Sequence, residues 1–398
     1  MEGDRIYLDY NATSPVRPVV IDALRDALLQ GGNPSSVHSI GRRARGLVER
    51  SRARIGARLN AAPETLIFAS GGTEANGLAL AGPVRAGLVD RLIIGATEHD
   101  AVRAPASRLD VPMHSLRVGP DGLADLDHLD QLLKACAAQG HRPLVSVMHA
   151  NNETGVLSPL QEIVQRVKTH TDGLVHTDAV QTVGRIPVDV DALGVDLLTL
   201  SGHKLGGAPG VGVLYARPGL ALSPVIDGGG QELGRRSGTE NVPAIAGLAA
   251  ALDAAASDDH PLADWRDRFE AGLKAAAPEA VIFGARAPRL ANTTCFAVPG
   301  LTGETQVMAL DLAGVSVSSG AACSSGKVAR SAVLAAMGQA DDLSNSAIRL
   351  SLGWASREDD LSRCLAAWTD HYQRWRARRT VGDGAPAGGD RRPVQAVS

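Results

Sequence analysis

Lys204 follows a short apolar segment, residues 197–200, with only Ser201, Gly202 and His203 in between. Five of the 40 Lys and Arg residues of the chain are lysines, so arginine is the usual cation here. A lysine amine can form a Schiff base with a carbonyl compound, whereas a guanidinium cannot. A lysine at a strand end is also often only a surface cation with a packed stem. Lys204 therefore indicates covalent chemistry only if other reactive groups join it.

Four more short apolar segments are also followed directly by compact groups of polar residues. These groups are Ser70-Gly71-Gly72-Thr73 after residues 66–68, Thr97-Glu98-His99 after 92–94, Asn151-Asn152-Glu153 after 144–148, and Asp178 with Gln181 after 174–176. In open α/β sheets, ligands bind beyond the carboxyl ends of the strands. Five polar groups at that edge predict one shared pocket.

The chemistry of these groups matches the needs of pyridoxal phosphate (PLP). Gly72 and Thr73 open a predicted helix, whose free N–H groups and dipole favour an anion. Asp178 can pair with a cationic ring nitrogen, and His99 can transfer protons near neutral pH. PLP requires a Schiff-base lysine, a carboxylate for its ring nitrogen and an anchored phosphate. Walker A and G-x-G-x-x-G sequences are absent from the chain, which disfavours nucleotide and dinucleotide cofactors.

Each of these residues taken alone also has an ordinary structural interpretation. A Gly-Thr turn can simply cap a helix, and a lone histidine such as His99 is more often a core residue. Asp178 at a strand end can cap the helix that follows. Only the combination favours a cofactor site.

The spacing of the apolar segments predicts an α/β fold. Most of the segments are separated by enough residues for a helix, which indicates a mostly parallel sheet covered on both faces. Residues 197–200 and 211–215 are joined by only about ten residues, so this pair is predicted to be antiparallel. We predict a large domain over 16–258 and a smaller α+β domain from 1–15 and 259–379, followed by a disordered tail over 380–398.

Composition excludes several other classes of protein. The 398 residues carry a net charge of −3, which gives no overall field for nucleic acid or a membrane surface. No apolar run reaches the ~18 residues that a membrane span needs, and no secretory signal is apparent. The four cysteines are widely spaced and lack zinc-site spacing, which favours a reducing cytoplasm.

The chain resembles the class V aminotransferase-fold cysteine desulfurases of the NifS/IscS type. The resemblance rests on motifs that run in order over most of the chain, from Tyr-Leu-Asp-Tyr-Asn-Ala-Thr at residue 7 through Gly-Asn-Pro-Ser-Ser-Val-His, Ser-Gly-Gly-Thr-Glu-Ala-Asn, Thr-Glu-His, Asn-Asn-Glu-Thr-Gly, His-Thr-Asp-Ala-Val-Gln, Ser-Gly-His-Lys and Arg-Ser-Gly-Thr to Ser-Ser-Gly-Ala-Ala-Cys at residue 323. It implies the fold of the fold-type I PLP enzymes, which is similar to that of aspartate aminotransferase. This fold has a mostly parallel seven-stranded sheet in the large domain.

The resemblance also implies a role for individual residues. Lys204 would hold PLP covalently, His99 would stack on its ring and move protons, and Asp178 would pair with the ring nitrogen. Gln181 and Asn152 would contact the ring oxygen or the substrate, and Arg349 would bind the substrate carboxylate. The phosphate and its surroundings would be bound by Gly72, Thr73, Ser201, Gly202 and His203, and by Thr239 of a neighbouring subunit in a homodimer.

In this resemblance, Cys323 is the residue that distinguishes a cysteine desulfurase from other enzymes on the same fold. It lies in a small-residue, Gly- and Ser-rich segment without a large apolar side chain between Val317 and Val328, which predicts a mobile loop. Lys327 and Arg330 would favour its thiolate. The segment lacks the Leu-Glu-Pro sequence common in the family's long loop, which leaves the choice of partner open. The other three cysteines lie in apolar patterns and are predicted to be core residues.

The implied function is removal of sulfur from L-cysteine, giving L-alanine and a persulfide on Cys323. Sulfur would pass to an iron–sulfur scaffold or another acceptor protein, and Cys323 is a candidate transient ligand of an iron–sulfur cluster. Nitrogenase clusters (nitrogen fixation), general iron–sulfur assembly and thio-modified RNA all remain open as destinations. The alternatives are a selenocysteine lyase, a PLP-dependent aminotransferase on the same fold, and a non-catalytic assembly scaffold.

Overall fold

A computed structural model of the protein describes residues 5–319 and 331–382, and of residues 380–382 only the helical backbone. Its centre is a seven-stranded sheet. The strands are β2 (Leu66–Ala69), β3 (Arg91–Gly95), β4 (Met113–Leu116), β5 (Pro143–Ser146), β6 (Leu174–Asp178), β7 (Leu197–Ser201) and β8 (Gly212–Ala216). Their spatial order is β2-β8-β7-β6-β5-β3-β4. All strands are parallel except β8, which is antiparallel to both β2 and β7. The predicted mostly parallel sheet and its antiparallel pair are confirmed.

The strands of this sheet are short and apolar because both faces are covered by helices. Every residue of β5, β6 and β7 is buried. Strand β4 has no counterpart among the predicted segments. It is an edge strand whose first three residues are exposed, so it lacks the continuous apolar pattern of its neighbours.

Eight helices accompany the large sheet within the described residues. They are α1 (Pro18–Gln30), α2 (Ser39–Leu59), α3 (Gly72–Arg85), α4 (Asp100–Ala106), α5 (Leu126–Ala138), α6 (Leu160–His170), α7 (Val190–Leu193) and α8 (Val242–Ala255). Helix α3 starts three residues after the end of β2, and α4 starts five residues after the end of β3. These short connections bring two helix N-termini to the carboxyl edge of the sheet.

A second group of elements follows α8. It contains α9 (Leu262–Ala276), β9 (Val281–Ile282), β10 (Thr293–Ala297), α10 (Gly303–Leu312), β11 (Val315–Ser316), β12 (Ser318–Ser319), α11 (Ala332–Ala336), α12 (Asp341–Asn345), β13 (Ala347–Ser351) and α13 (Glu358–Gly382). Strands β12, β13, β10 and β9 form an antiparallel sheet, and the N-terminal β1 (Ile6–Tyr7) pairs in parallel with β11. A further bridge joins Asp9 to Ser351, which carries the N-terminal segment towards the large sheet.

The two groups of elements have separate buried clusters. Around the large sheet, one cluster holds residues from Val20 to Leu252 and another holds residues from Ile67 to Leu222. In the second group, a further cluster joins Ile6 and Leu8 to residues from Trp265 to Tyr372. This separation supports the domain division near residues 15 and 258, which stays a prediction.

The C-terminal helix α13 extends further than predicted. It continues to Gly382, three residues into the segment 380–398 that composition assigns to a disordered tail. Its buried residues Cys364, Trp368 and Tyr372 lie at four-residue spacing, and the rings of Trp368 and Tyr372 stack at 5.3 Å. No helix in the described ranges is both long and apolar enough to cross a bilayer.

Candidate active site

Lys204 ends a short 3-10 turn that continues directly from β7. Its Nζ donates hydrogen bonds to the backbone carbonyls of Asn11 at 2.7 Å and Ala12 at 2.8 Å. The amine therefore lies where the N-terminal segment passes the carboxyl edge of the large sheet. This is the edge at which the sequence predicts the pocket.

Asp178 is the last residue of β6 and is only 6% exposed. Asn76 of α3 donates to its Oδ2 at 2.7 Å, and the backbone N–H of Val180 donates to its Oδ1 at 2.9 Å. Burial raises the pKa of this carboxyl, while the two hydrogen bonds and the nearby His99 and Lys204 act in the opposite direction. A buried carboxylate held in this way is suited to a cationic partner.

The N-terminus of α3 forms a cradle against the end of β7. A Cβ atom at Gly72 would lie 3.0 Å from Val180 Cγ2 and 3.3 Å from Ser201 Cβ, and one at Gly212 would lie 2.4 Å from the carbonyl carbon of Gly71. The backbone of α3 can approach β7 and β8 so closely because glycine lacks these atoms. The first N–H groups of a helix have no partners within it, and Gly71 supplies no side-chain cap. Gly72 and Thr73 thus begin the helix as an anion site requires.

His99 is the N-cap of α4, and its Nδ1 accepts a hydrogen bond from the backbone N–H of Ala101 at 3.0 Å. Burial lowers its pKa, Asp178 opposes this shift, and Lys204 adds to it. The ring is therefore neutral near pH 7, and its proton lies on Nε2 because Nδ1 is an acceptor. His99, Asp178 and Lys204 are close enough to influence one another electrostatically.

Gln181 and Asn152 meet at a common neighbour, Asn11. Gln181 Nε2 donates to the backbone oxygen of Asn11 at 3.0 Å, and Asn11 Nδ2 donates to the backbone oxygen of Asn152 at 3.1 Å. Gln181 and Asn152 are both buried. The N-terminal segment thus connects two residues that lie far apart in the chain.

Arg349 lies in the middle of β13 and is 2% exposed, so it is not an ordinary surface cation. Its Nη2 forms an ion pair with Asp9 at 2.6 Å, and its Nη1 donates to the backbone oxygen of Asn152 at 2.9 Å. The buried Nε has no acceptor among the described residues. A guanidinium has five N–H groups, so the two that pair with Asp9 and Asn152 leave three, including that on Nε, for a ligand.

The remaining predicted residues differ in their surroundings. Ser201 and Gly202 are buried, and His203 Nδ1 lies 3.1 Å from the hydroxyl of Thr13. Thr239 is exposed in the loop before α8.

Cys323 lies outside the described residues, so its predicted catalytic and metal-ligand roles stay predictions. No group of three metal-ligating side chains occurs in the part of the chain that the structure describes.

Three residues near the site were missed by sequence reasoning. Asn76, one turn into α3, donates a hydrogen bond to Asp178. The backbone oxygen of Asn11 accepts hydrogen bonds from both Lys204 and Gln181. Arg185 donates to the side-chain oxygens of Gln181 at 2.6 Å and Asn11 at 2.7 Å. Asn76, four residues after Gly72, had a weak sequence signal. The partners of Asn11 are distant in sequence, and so are two of the three partners of Arg185, whose four-residue spacing from Gln181 was its one local signal.

These donors and acceptors fit PLP. The glycine cradle at Gly72 lies beside Ser201 of β7, and the buried Asp178 carboxylate lies near the amine of Lys204. An anion site, a buried carboxylate and an amine are the three features by which proteins hold this cofactor. With the seven-stranded sheet, they define the fold-type I class of PLP-dependent enzymes.

Comparison with known proteins gives the family. Residues 6–364 match the family described as aminotransferase class-V. The chain is 40% identical over 370 residues to the cysteine desulfurase IscS of Dictyoglomus turgidum, covering 90% of this chain and 92% of that protein. It is likewise 40% identical over 370 residues to a cysteine desulfurase of Cereibacter sphaeroides, with 91% and 94% covered. The crystal structure of a NifS-like protein from Rickettsia africae is 34% identical with a TM-score of 0.84, covering 93% of this chain and 100% of that one. The chain belongs to the class V aminotransferase family and, within it, to the NifS/IscS cysteine desulfurases.

Proposed function

We propose that this protein is a PLP-dependent cysteine desulfurase that converts L-cysteine to L-alanine and leaves a persulfide on Cys323. The observation that carries the proposal is the position of the buried Asp178 near both Lys204 and His99, in a chain that matches named cysteine desulfurases over nine-tenths of its length. Bound PLP supplies an electron sink that acidifies the substrate Cα–H and weakens its Cβ–S bond.

Lys204 has two tasks in this proposal. Its amine holds the cofactor and, once released, removes the Cα proton of the substrate. In the structure the amine donates to the carbonyls of Asn11 and Ala12, which keep it at the edge of the sheet. Because these acceptors are backbone oxygens, they can orient the amine without taking its proton.

Asp178 would pair with the ring nitrogen of the cofactor, and Gln181 would contact its ring oxygen. Burial raises the pKa of Asp178, and a cationic ring nitrogen would offset that effect by favouring the carboxylate. Gln181 Nε2 carries two N–H groups; one donates to the backbone oxygen of Asn11, and the other would donate to the ring oxygen. Asn76 and Val180 prevent Asp178 from rotating away.

His99 and Arg349 act on the substrate. The remaining N–H groups of Arg349, including that on Nε, would donate to the substrate carboxylate, while Asp9 and the backbone oxygen of Asn152 hold the guanidinium in place. His99 takes up a second proton only by giving up the bond from Ala101, so proton transfer requires that bond to break. Its neutral ring is meanwhile suited to stacking.

Cys323 carries the sulfur-transfer step. Its thiolate forms a bond to the substrate sulfur while the Cβ–S bond breaks and its electron pair stays on carbon. Protonation of that carbon gives alanine, and the sulfur remains on the enzyme as a persulfide. We propose that acceptor proteins, including an iron–sulfur scaffold, take the sulfur in the cytoplasm; the buried Cys136, Cys295 and Cys364 are free thiols, as a reducing compartment allows.

A homodimer is part of the proposal. Six apolar side chains on or near α1 and in the loop before α8 are strongly exposed in the single chain: Val19, Ile21, Leu28, Leu29, Val37 and Leu233. Exposed apolar residues in such number favour a subunit interface. Sedimentation of the PLP-bound protein should give twice the chain mass of 41.2 kDa.

The decisive experiment compares wild-type protein with Cys323→Ala and Cys136→Ala. Wild-type and Cys136→Ala proteins should show the visible absorbance of bound PLP and release alanine and, with a thiol reductant, sulfide from cysteine. Cys323→Ala should keep the absorbance and form no persulfide. Undiminished sulfide release by Cys323→Ala would exclude the mechanism. Turnover of selenocysteine but not of cysteine would favour a selenocysteine lyase, and transfer of the amino group to an acceptor would favour an aminotransferase.

A further inference from the structure

Arg185 contacts the site without belonging to the residues that the family assigns to it. It follows Gln181 by four residues and lies in the segment between β6 and α7. Its Nη1 donates to Gln181 Oε1 at 2.6 Å and to Asn11 Oδ1 at 2.7 Å, and its Nη2 donates to the backbone oxygen of Tyr10 at 3.1 Å. All three acceptors are neutral oxygens. The guanidinium therefore serves geometry here rather than ion pairing.

These contacts determine which end of the Gln181 amide faces Lys204. Oε1 points to the guanidinium, which can only donate, so Nε2 must be at the other end. Nε2 and Lys204 Nζ both donate to the backbone oxygen of Asn11, at 3.0 and 2.7 Å. A flipped amide would place its oxygen against the Asn11 carbonyl and its NH2 group against Arg185. Both contacts would be repulsive.

Asn11 is held by the same arrangement. Its Oδ1 accepts from Arg185 and from Asn292, and its Nδ2 donates to Asn152 and Thr293. The carbonyl that orients Lys204 therefore belongs to a residue with a locked side chain. Arg185 connects the amide and this carbonyl in one network.

We propose that Arg185 is a positioning residue that keeps the N–H end of Gln181 directed at the ring oxygen of the cofactor beside Lys204. This inference rests on the proposed function and adds a residue to it. A donor on the anionic ring oxygen weakens that oxygen's attraction for the proton of the lysine Schiff base, so it lowers the pKa of the Schiff base. Loss of Arg185 frees the amide and raises that pKa.

Other charged groups also act on the Schiff base. Charged or titratable groups near this position include Asp178 from β6, Glu98 and His99 before α4, His203 beside Lys204, and Arg349 from β13. These groups are present in all the variants compared, so their contributions cancel when the Schiff-base pKa of one variant is subtracted from that of another. The charge of Arg185 itself does not cancel, and the experiment must separate it from positioning.

The test is a double-mutant cycle on the PLP-bound protein, read from the pH titration of its visible absorbance. Arg185→Met should raise the Schiff-base pKa by about one unit, and Gln181→Ala should do the same. Arg185→Met in the Gln181→Ala background should add little, because the two residues act through one hydrogen bond. Arg58→Met is the matched control, since Arg58 lines the same cavity of about 470 Å³ beside Lys204 but pairs with Asp253.

Two results would overturn the inference: an unchanged pKa in Arg185→Met, or a shift that persists in full without Gln181, which would show a direct effect of charge. If Arg185→Met does not fold, Arg185→Lys replaces it. Lysine keeps the charge but not the planar two-acceptor geometry, so the shift should be smaller, of the same sign and absent in the Gln181→Ala background. Failure of the wild-type protein to bind PLP covalently would instead contradict the proposed function.

Discussion

The amine of Lys204 and the amide of Gln181 donate to the same atom, the backbone oxygen of Asn11. Lys204 is 193 residues from Asn11 in the chain, and Gln181 is 170 residues from it. The N-terminal segment, which pairs with β11 through β1, thus reaches the site at the edge of the large sheet. The site takes residues from both groups of elements, such as Lys204 after β7 and Arg349 on β13.

Replacing Lys204 tests the covalent bond to the cofactor. Lys204→Ala should bind PLP without a Schiff base and lose about 10³-fold or more in desulfurase activity, because both anchor and base are removed. Borohydride reduction followed by mass spectrometry should find PLP attached to wild-type protein only. Lys168→Ala, which removes an exposed amine bonded to Gly194, is the control and should behave as wild type. Covalent PLP in Lys204→Ala would show that another amine carries it.

Replacing Asp178 tests the carboxylate that faces the ring nitrogen. Asp178→Asn keeps the shape and can still contact Val180, but it removes the charge that would pair with a cation. PLP should bind about 10- to 100-fold more weakly, as expected when a charge-assisted hydrogen bond is lost. Equilibrium dialysis measures this change. The exposed Asp172→Asn should leave the dissociation constant unchanged, and an equal constant for both variants would contradict the assignment.

The buried ion pair between Arg52 and Glu232 predicts a loss of stability when one partner is removed. Two hydrogen bonds of 2.8 Å join these side chains, Glu232 also accepts from the N–H of Phe68, and both residues are under 10% exposed. Arg52→Met should destabilise the protein by about 3–5 kcal/mol because it leaves a buried carboxylate without its partner.

Urea unfolding of Arg52→Met and of the double variant Arg52→Met/Glu232→Leu checks this explanation. The double variant should recover part of the lost stability, since the unpaired charge is gone. Arg50→Met on the exposed face of α2 should have almost no effect. A double variant no more stable than Arg52→Met would place the loss in packing, including the Arg52 contact with the Phe68 ring.

His176 predicts a pH dependence of stability. It is fully buried in β6 between Ser146 and Thr199, and burial lowers its pKa to about 3. Between about pH 6.5 and 3 the unfolded chain binds a proton at this residue that the folded chain does not. The free energy of unfolding should therefore fall as the pH falls, by up to about 1.4 kcal/mol per pH unit from this group.

The contribution of His176 is measured as a difference between proteins. The stability advantage of wild type over His176→Gln should shrink by about 1 kcal/mol between pH 6.5 and 5.5. Glu153, whose pKa burial raises to about 7, acts in the opposite direction over pH 7 to 4.5 but is present in both proteins. His114→Gln, at an exposed position of β4, should track wild type at every pH. A constant difference for His176→Gln would mean that the histidine has the same pKa in the folded protein as in the unfolded chain.

The sequence by itself determined the α/β class, the parallel sheet with one antiparallel strand, and the candidates Lys204, Asp178, His99 and Gly72. This was possible because a short apolar segment marks a buried strand, and parallel strands end at one edge of a sheet. The candidate role of Cys323 also comes from sequence alone, since the residue lies outside the described ranges.

Only the tertiary structure decided what holds these residues in place. The acceptors of Lys204 are backbone carbonyls, and every residue type offers the same carbonyl, so no residue pattern could point to Asn11 and Ala12. Arg349 likewise reads as one cation among many, and its burial against Asp9 arises from the packing of β13 beneath the N-terminal segment. Long-range packing, not local spacing, made Arg185 and Asn11 part of the site.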